Sequence, residues 1–342
     1  VAARNHSPLV LGLDAEASYM ASDIPALLPY THQVIFLDDL EMAVLNPGTI
    51  AYQSVTDGRP LRKQVTTIEW NAAMAEKSGY RHFMLKEIFE QPQAIINTVS
   101  GRIIPDTGQI DLPEIGLADE VLANIERIAL VACGTSWHAA LVAKYWIEKW
   151  AGIPVEVDIA SEFRYRRLLI NERVLVIAIS QSGETADTLA GIRLASALGA
   201  KVLAICNVVG STMTREADGV IYTHAGPEIG VASTKAFTCQ LAALFLFTLH
   251  LARTKNAASR EQLAESGQAL IDIAGVIEKE LPSLQQRIHV LVERYYNSRD
   301  FLFVGRGHNY PIALEGALKL KEISYTHAEG YAAGELKHGP IA

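Results

Sequence analysis

From Asp119 onward the sequence alternates between β-rich apolar runs and helix-patterned segments, and this alternation restricts the fold more than any other feature. The runs RIALVAC (127–133), PVEVDIA (154–160), RVLVIAIS (173–180), KVLAICNV (201–208) and GVIYTH (219–224) are apolar almost throughout. Between them lie segments with helical patterning, such as SWHAALVAKYWIEKW (136–150) and TADTLAGIRLASALG (185–199). A strand with one wet face alternates apolar and polar residues. Strands that do not alternate need cover on both faces, as in a parallel sheet enclosed by its crossover helices. The expected fold class is α/β with a doubly wound parallel sheet, whose ligands bind beyond the carboxyl ends of the strands. FLFVGRGHNYPIALEGALKLKEIS (301–324) repeats the order of IALVACGTSWHAALVAKYW (128–146): apolar strand, Gly-containing turn, helix. A second, truncated copy of the module is therefore expected. A helical region from Ser233 to Tyr296 separates the copies, and its polar stretch ARTKNAASREQLAESG reads as a link between domains.

The beginning of the chain breaks the pattern. PLVLGLD, ASYMASD, QVIFLDD, EMAVLNPG and TIAYQSV are short β-type runs separated by turn residues, which predicts an antiparallel sheet. A segment from Lys63 to Pro113, with RHFMLKEIFEQPQAIINTV as its helix, joins the two regions. With 342 residues, and about 150 per domain, the chain holds two domains and part of a third. An apolar share of 49% is enough for packed cores. The net charge of −8, without a Lys/Arg stripe, argues against a nucleic-acid partner. Cys133, Cys206 and Cys239 lie in apolar stretches without metal-ligand spacing, the usage of a reducing compartment, here the cytoplasm. The most apolar run, Leu241 to Leu249, is shorter than the roughly 20 residues a bilayer span needs, so a buried helix is expected and no membrane partner. A start at Val1 and an end at LKHGPIA read as an internal piece of a longer polypeptide.

Three strand-to-helix turns share one chemistry: CGTS (133–136), SQSGET (180–185) and GVASTKAF (230–237). Helix N-termini offer unpaired N–H groups and a favourable dipole to an anion, Ser and Thr add hydroxyl donors, and Gly lets the backbone approach closely. A phosphate can be bound there without Arg or Lys. Each turn taken singly also fits an N-cap, worth about 1 kcal/mol, but a cap needs one hydroxyl and SQSGET supplies three. No Walker loop is present and no GxGxxG opens the first module, so nucleotide binding has little support.

In ALEGALKLKEISYTHAEGYAAGELKHG (313–339), Glu315, Lys319 and Glu322 follow i, i+4, i+7 and share one helix face. On an arbitrary surface helix such a set is an ion pair worth about 0.3–0.5 kcal/mol. Here its neighbours are small or apolar, which turns the stripe toward a cleft. A carboxylate beside an ammonium there can move protons between sugar carbons, and His338 offers a second acid or base near neutral pH.

CGTSWHAALVAKYW, ASEFRYRR, AISQSGETADTLAG, EIGVASTKAFTCQL, FVGRGHNYPIALEGALKLKEISY and YAAGELKHGP together closely resemble the isomerase part of the glutamine-fructose-6-phosphate aminotransferase (isomerising) family. The similarity runs in order from about Tyr80 to Ala342, and NHSPLVLGL and ASDIPALLPYTHQVIFLDD resemble the last strands of that family's glutaminase domain. The resemblance implies a remnant of an Ntn-type glutaminase domain (1–65), a linker with a leading helix (66–118), a first sugar-isomerase (SIS) domain (119–258), a helical linker (259–290) and a truncated second SIS domain (291–342). It implies synthesis of glucosamine 6-phosphate from fructose 6-phosphate and glutamine, with no cofactor or metal. Ser180, Gln181, Ser182 and Thr185 would hold the sugar phosphate, while Thr135, Ser136, Val231 and Ser233 would line the pocket. Glu322 would shuttle a proton between C1 and C2, assisted by Lys319 and Glu315. His338 would take part in ring opening in the partner subunit of a homodimer. The family's N-terminal nucleophilic cysteine and its C-terminal Schiff-base lysine have no counterpart here, so this stretch alone is expected to lack glutamine hydrolysis and synthase activity. Two rival readings remain: a SIS-domain phosphosugar isomerase that does not use glutamine, and a phosphosugar-binding regulator.

Overall fold

In the computed structural model, which describes residues 1–5, 7–24, 26–68, 77–104 and 109–341, the chain opens with short strands: β1 (Ala2–Arg4), β2 (Val10–Leu13), β3 (Ser18–Ala21), β4 (Gln33–Phe36), β5 (Glu41–Asn46), β6 (Thr49–Ser54), β7 (Pro60–Leu61) and β8 (Thr66–Thr67). They form two antiparallel sheets, ordered β1-β5-β6-β7 and β3-β2-β4-β8. The five β-type runs of the sequence are β2 to β6, whereas β1, β7 and β8 are too short to carry a period. Ala2, Ala43, Leu45 and Ile50 of the first sheet meet Leu11 and Ile35 of the second in a core between them. The joining segment, which lies in part outside the described residues, contains α1 (Phe83–Val99) and the hairpin of β9 (Ile103–Ile104) and β10 (Gln109–Ile110), and α2 (Asp119–Ala123) follows it.

The alternating region runs β11 (Arg127–Ala132), α3 (Gly134–Ala151), β12 (Val155–Ile159), α4 (Ala160–Phe163), β13 (Val174–Ser180), α5 (Ala186–Ala197), β14 (Lys201–Cys206), α6 (Thr212–Glu216), β15 (Gly219–Tyr222) and α7 (Lys235–Thr254). Its five strands are all parallel, in the order β12-β11-β13-β14-β15. The missing alternation now has its cause. Ile128, Leu130, Leu175, Ile177, Leu203 and Ile205 face a core shared with α3 and α7. The residues between them, Ala129, Val131, Val176, Val202 and Ala204, face a second core with Leu189 and Ile192 of α5 and with Val10, Val34 and Phe36 of the antiparallel β2 and β4. The N-terminal sheet is thus part of the cover of the parallel sheet, with β13 buried along its whole length.

The apolar run Leu241–Leu249 lies inside α7, which at 20 residues and a mean hydropathy of 1.4 is long and apolar enough to cross a membrane, contrary to the sequence estimate. Its most apolar window is 83% buried inside the fold, where Leu244, Leu246, Phe247 and Leu249 are fully covered. At about 1.5–3 kcal/mol per buried large side chain, α7 acts as the central core helix. ARTKNAASREQLAESG is not an extended linker. It contains the end of α7, a short break, and the start of α8 (Arg260–Tyr295), which opens on a capping box between Ser259 and Gln262. Then β16 (Asp300–Gly305), α9 (Asn309–Ser324) and β17 (His327–Ala332) form a second parallel βαβ unit, repeating β11–α3–β12.

Candidate active site

In the five-stranded parallel sheet β12 lies on one side of β11 and β13 on the other, so the chain leaves the carboxyl ends of β11 and β13 in opposite directions. That switch point is where an open α/β sheet forms a ligand crevice. The turns bordering it are Cys133–Ser136 after β11 and Ser180–Thr185 after β13.

In the β13 turn the hydroxyls organise the loop itself. Ser180 Oγ lies 3.0 Å from Thr185 Oγ1 and accepts the Gly183 N–H at 3.0 Å, while Ser182 Oγ accepts the Glu184 N–H at 3.2 Å. Gly183 has φ +67, and a Cβ there would lie 2.1 Å from Ser211 Oγ. Thr185 occupies the N-cap position of α5 but makes no side-chain cap bond, and the N-cap residues Cys133 of α3 and Thr234 of α7 make none either. The N-cap account of these three turns is therefore corrected: their hydroxyls are not used as caps. At the start of α5 the first N–H groups remain without an intrahelical partner, as at any helix start.

The turn before α7 differs. The Glu228 carboxylate accepts N–H bonds from Thr234 at 2.8 Å and Ala236 at 3.1 Å and the Ser233 hydroxyl at 2.8 Å, so the chain's own carboxylate fills that helix N-terminus. Burial pushes the Glu228 carboxyl above the usual range, against the pull of those three donors. Glu87 of α1 holds the same loop by accepting Ile229 N–H at 2.6 Å and Gly230 N–H at 3.0 Å, and Val231 projects with 92% exposure. Among the described residues, no carboxylate bonds the helix starts after β11 and β13, whereas that of α7 is filled by Glu228.

The charged stripe of α9 meets the β11 turn. Thr135 Oγ1 donates to Glu315 Oε1 at 3.0 Å and accepts from Lys319 Nζ at 3.0 Å, and Lys319 Nζ stands 3.4 Å from Glu315 Oε1 and 2.5 Å from Glu322 Oε2. The second oxygen of Glu315 pairs with His138 Nδ1 at 2.7 Å. Both partners are buried, whereas the Glu322 side chain is 33% exposed. One connected chain, His138–Glu315–Thr135–Lys319–Glu322, thus links the first βαβ unit to the second and ends in a carboxylate open to solvent. Ser136 is buried and its hydroxyl accepts a bond from Gln240 at 3.0 Å. His338 sits in the 3-10 turn Glu335–His338, exposed and with no hydrogen bond or ion pair among the described residues. Burial pushes the thiols of Cys206 and Cys239 up to about 11 and about 12, so neither is a nucleophile at neutral pH.

Sequence reading missed His138, Glu184, Glu228 and Arg4. His138 left a signal: it lies three residues after Thr135, just ahead of the apolar run Ala139–Ala143, the spacing at which both can reach one carboxylate. Arg4 left none, being tied to residues far along the chain.

The doubly wound parallel sheet with hydroxyl-rich turns at its switch point defines the SIS-domain class, and a model of the SIS domain family matches residues 121–250 and 294–342. The chain is 50% identical over 342 residues to the glutamine-fructose-6-phosphate aminotransferase (isomerizing) of Caldanaerobacter subterraneus subsp. tengcongensis, and 49% identical to that of Methanosarcina acetivorans. Both alignments cover 100% of this chain but only 56% and 55% of those proteins, so it spans about half their length. The solved C-terminal domain of glucosamine-fructose-6-phosphate aminotransferase from Francisella tularensis is 48% identical, with a TM-score of 0.74 over 78% of this chain and 74% of that one. The chain belongs to the glutamine-fructose-6-phosphate aminotransferase (isomerizing) family. Tagatose-6-phosphate ketose/aldose isomerase from Escherichia coli, 19% identical with a TM-score of 0.59 over 76% of this chain and 70% of that one, shares the fold alone.

Proposed function

We propose that the full-length protein converts fructose 6-phosphate and glutamine to glucosamine 6-phosphate and glutamate. The observation that carries this reading is the hydrogen-bonded chain from His138 to Glu322, whose Thr135 belongs to a turn at the same switch point as SQSGET. In this reading Ser180, Gln181, Ser182, Thr185 and the open N–H groups of α5 hold the phosphate. Thr135, Ser136, Val231 and Ser233 border the sugar. Glu322, the exposed end of the chain, takes a proton from C1 and returns it to C2, so the ketose carbon becomes the amine-bearing carbon of an aldose. The Lys319 ammonium pairs with Glu322 at 2.5 Å and, with Glu315, orients the neighbouring sugar oxygens. His338, exposed and without a hydrogen bond or ion pair among the described residues, assists ring opening in the site of a second subunit of a homodimer, and the protein is assigned to the cytoplasm. The domain division proposed is 1–65, 66–118, 119–258, 259–290 and 291–342, with the antiparallel sheets as the C-terminal part of a glutaminase domain.

Those sheets favour the synthase over an isomerase that does not use glutamine, because such an enzyme has no need of them. The test is product analysis on the full-length protein with fructose 6-phosphate and glutamine. Glucosamine 6-phosphate and glutamate in equal amounts are expected. Conversion of the sugar to an aldose phosphate without glutamine consumption would support the isomerase instead.

A further inference from the structure

The turn assigned to the phosphate carries a carboxylate of its own. Glu184 lies between Gly183 and Thr185 and is 7% exposed, so water does little to screen it. An uncompensated carboxylate in an anion-binding turn works against the ligand. Its partners are the Thr212 N–H at 2.8 Å, the Thr212 hydroxyl at 2.9 Å and one cation, Arg4 Nη2, at 3.0 Å. Arg4 is 2% exposed and belongs to β1, outside the parallel-sheet domain, 180 positions before Glu184. It also donates to the Leu37 carbonyl at 2.6 Å and to Thr212 Oγ1 at 3.3 Å, and its Nε stands 3.4 Å from Asp39. The antiparallel sheet thus fixes the guanidinium in place.

We propose that Arg4 is a positioning residue of the phosphosugar site: supplied by the N-terminal sheet, it neutralises and anchors Glu184 so that the β13 turn offers donors to the phosphate without a competing negative charge. The inference rests on the phosphate reading of that turn. It differs from a mere tie between domains in one respect, since its effect runs through the charge of Glu184. Removing both charges therefore restores what removing Arg4 alone destroys.

The experiment is calorimetric titration of the full-length protein with fructose 6-phosphate, comparing wild type, Arg4→Met, Arg4→Lys and the double variant Arg4→Met/Glu184→Gln. Arg4→Met raises Kd by about tenfold, while Arg4→Lys and the double variant stay within about threefold of wild type. If Arg4→Met does not fold, the double variant and Arg4→Lys decide alone, because neither leaves a buried unpaired carboxylate. Unchanged affinity in a folded Arg4→Met, or a double variant as weak as Arg4→Met or weaker than Arg4→Lys by tenfold, overturns the inference. A wild-type protein that binds no fructose 6-phosphate overturns the phosphosugar reading itself.

Discussion

Replacing Glu322 by Gln in the full-length protein lowers kcat for glucosamine 6-phosphate formation by about 10²- to 10⁴-fold and leaves fructose 6-phosphate affinity nearly unchanged. The amide keeps the shape of the carboxylate but cannot accept a proton from carbon. It also leaves the rest of the polar chain in place, since Lys319 retains Thr135 at 3.0 Å and Glu315 at 3.4 Å. Glu322 lies at the exposed end of the α9 stripe, so the change removes no buried contact. The large loss in kcat against a small change in affinity separates a proton-transfer role from a binding one. In a phosphosugar-binding regulator the same substitution has no measurable effect.

Gly183→Ala is expected to lower both stability and phosphosugar affinity. At φ +67 a side chain costs about 1–2 kcal/mol. The new methyl would also lie 2.1 Å from Ser211 Oγ, 2.7 Å from Ser211 Cβ and 2.8 Å from Cys206 Sγ. Ser211 and Cys206 are fully buried, so neither can swing into solvent, and overpacking adds about 1–3 kcal/mol. A total of about 2–5 kcal/mol of lost stability follows, read by denaturant unfolding. The turn would shift to relieve the contact, breaking the Gly183 N–H to Ser180 Oγ bond and lowering fructose 6-phosphate affinity by more than about tenfold. A variant with wild-type stability and affinity would mean that the turn is not held as tightly as Gly183, Ser211 and Cys206 suggest.

Much of this was legible in the chain, where local period and local spacing determine the outcome. The seven-residue β13 has no polar position before Ser180, and the structure covers both of its faces. The α9 stripe follows from i, i+4, i+7 spacing, which fixes the shared face before any partner is known. What the stripe faces was not legible. Glu315 meets Thr135 and His138 from 180 and 177 positions away, and no local pattern encodes such a meeting. The likeness of the three Ser/Thr turns misled for a different reason, since the group that sets the third apart lies only 5 to 8 positions from its partners. Glu228 turns back onto the N-terminus of α7, and the spacing of Ser233 and Thr234 gave no sign that their helix end was already filled. The apolar run Leu241–Leu249 marks only the middle of α7, whose helical hydrogen bonds extend beyond it on both sides within the helical region expected from Ser233 onward.

The central claim is that the β13 turn holds the phosphate of a sugar whose reacting carbons lie against Glu322. A crystal structure of the full-length protein with fructose 6-phosphate tests it most directly. The account predicts phosphate oxygens within hydrogen-bond distance of the Ser180, Ser182 and Thr185 hydroxyls, and C1 and C2 beside the Glu322 carboxylate. A sugar phosphate seated elsewhere, with the β13 turn empty, would contradict it.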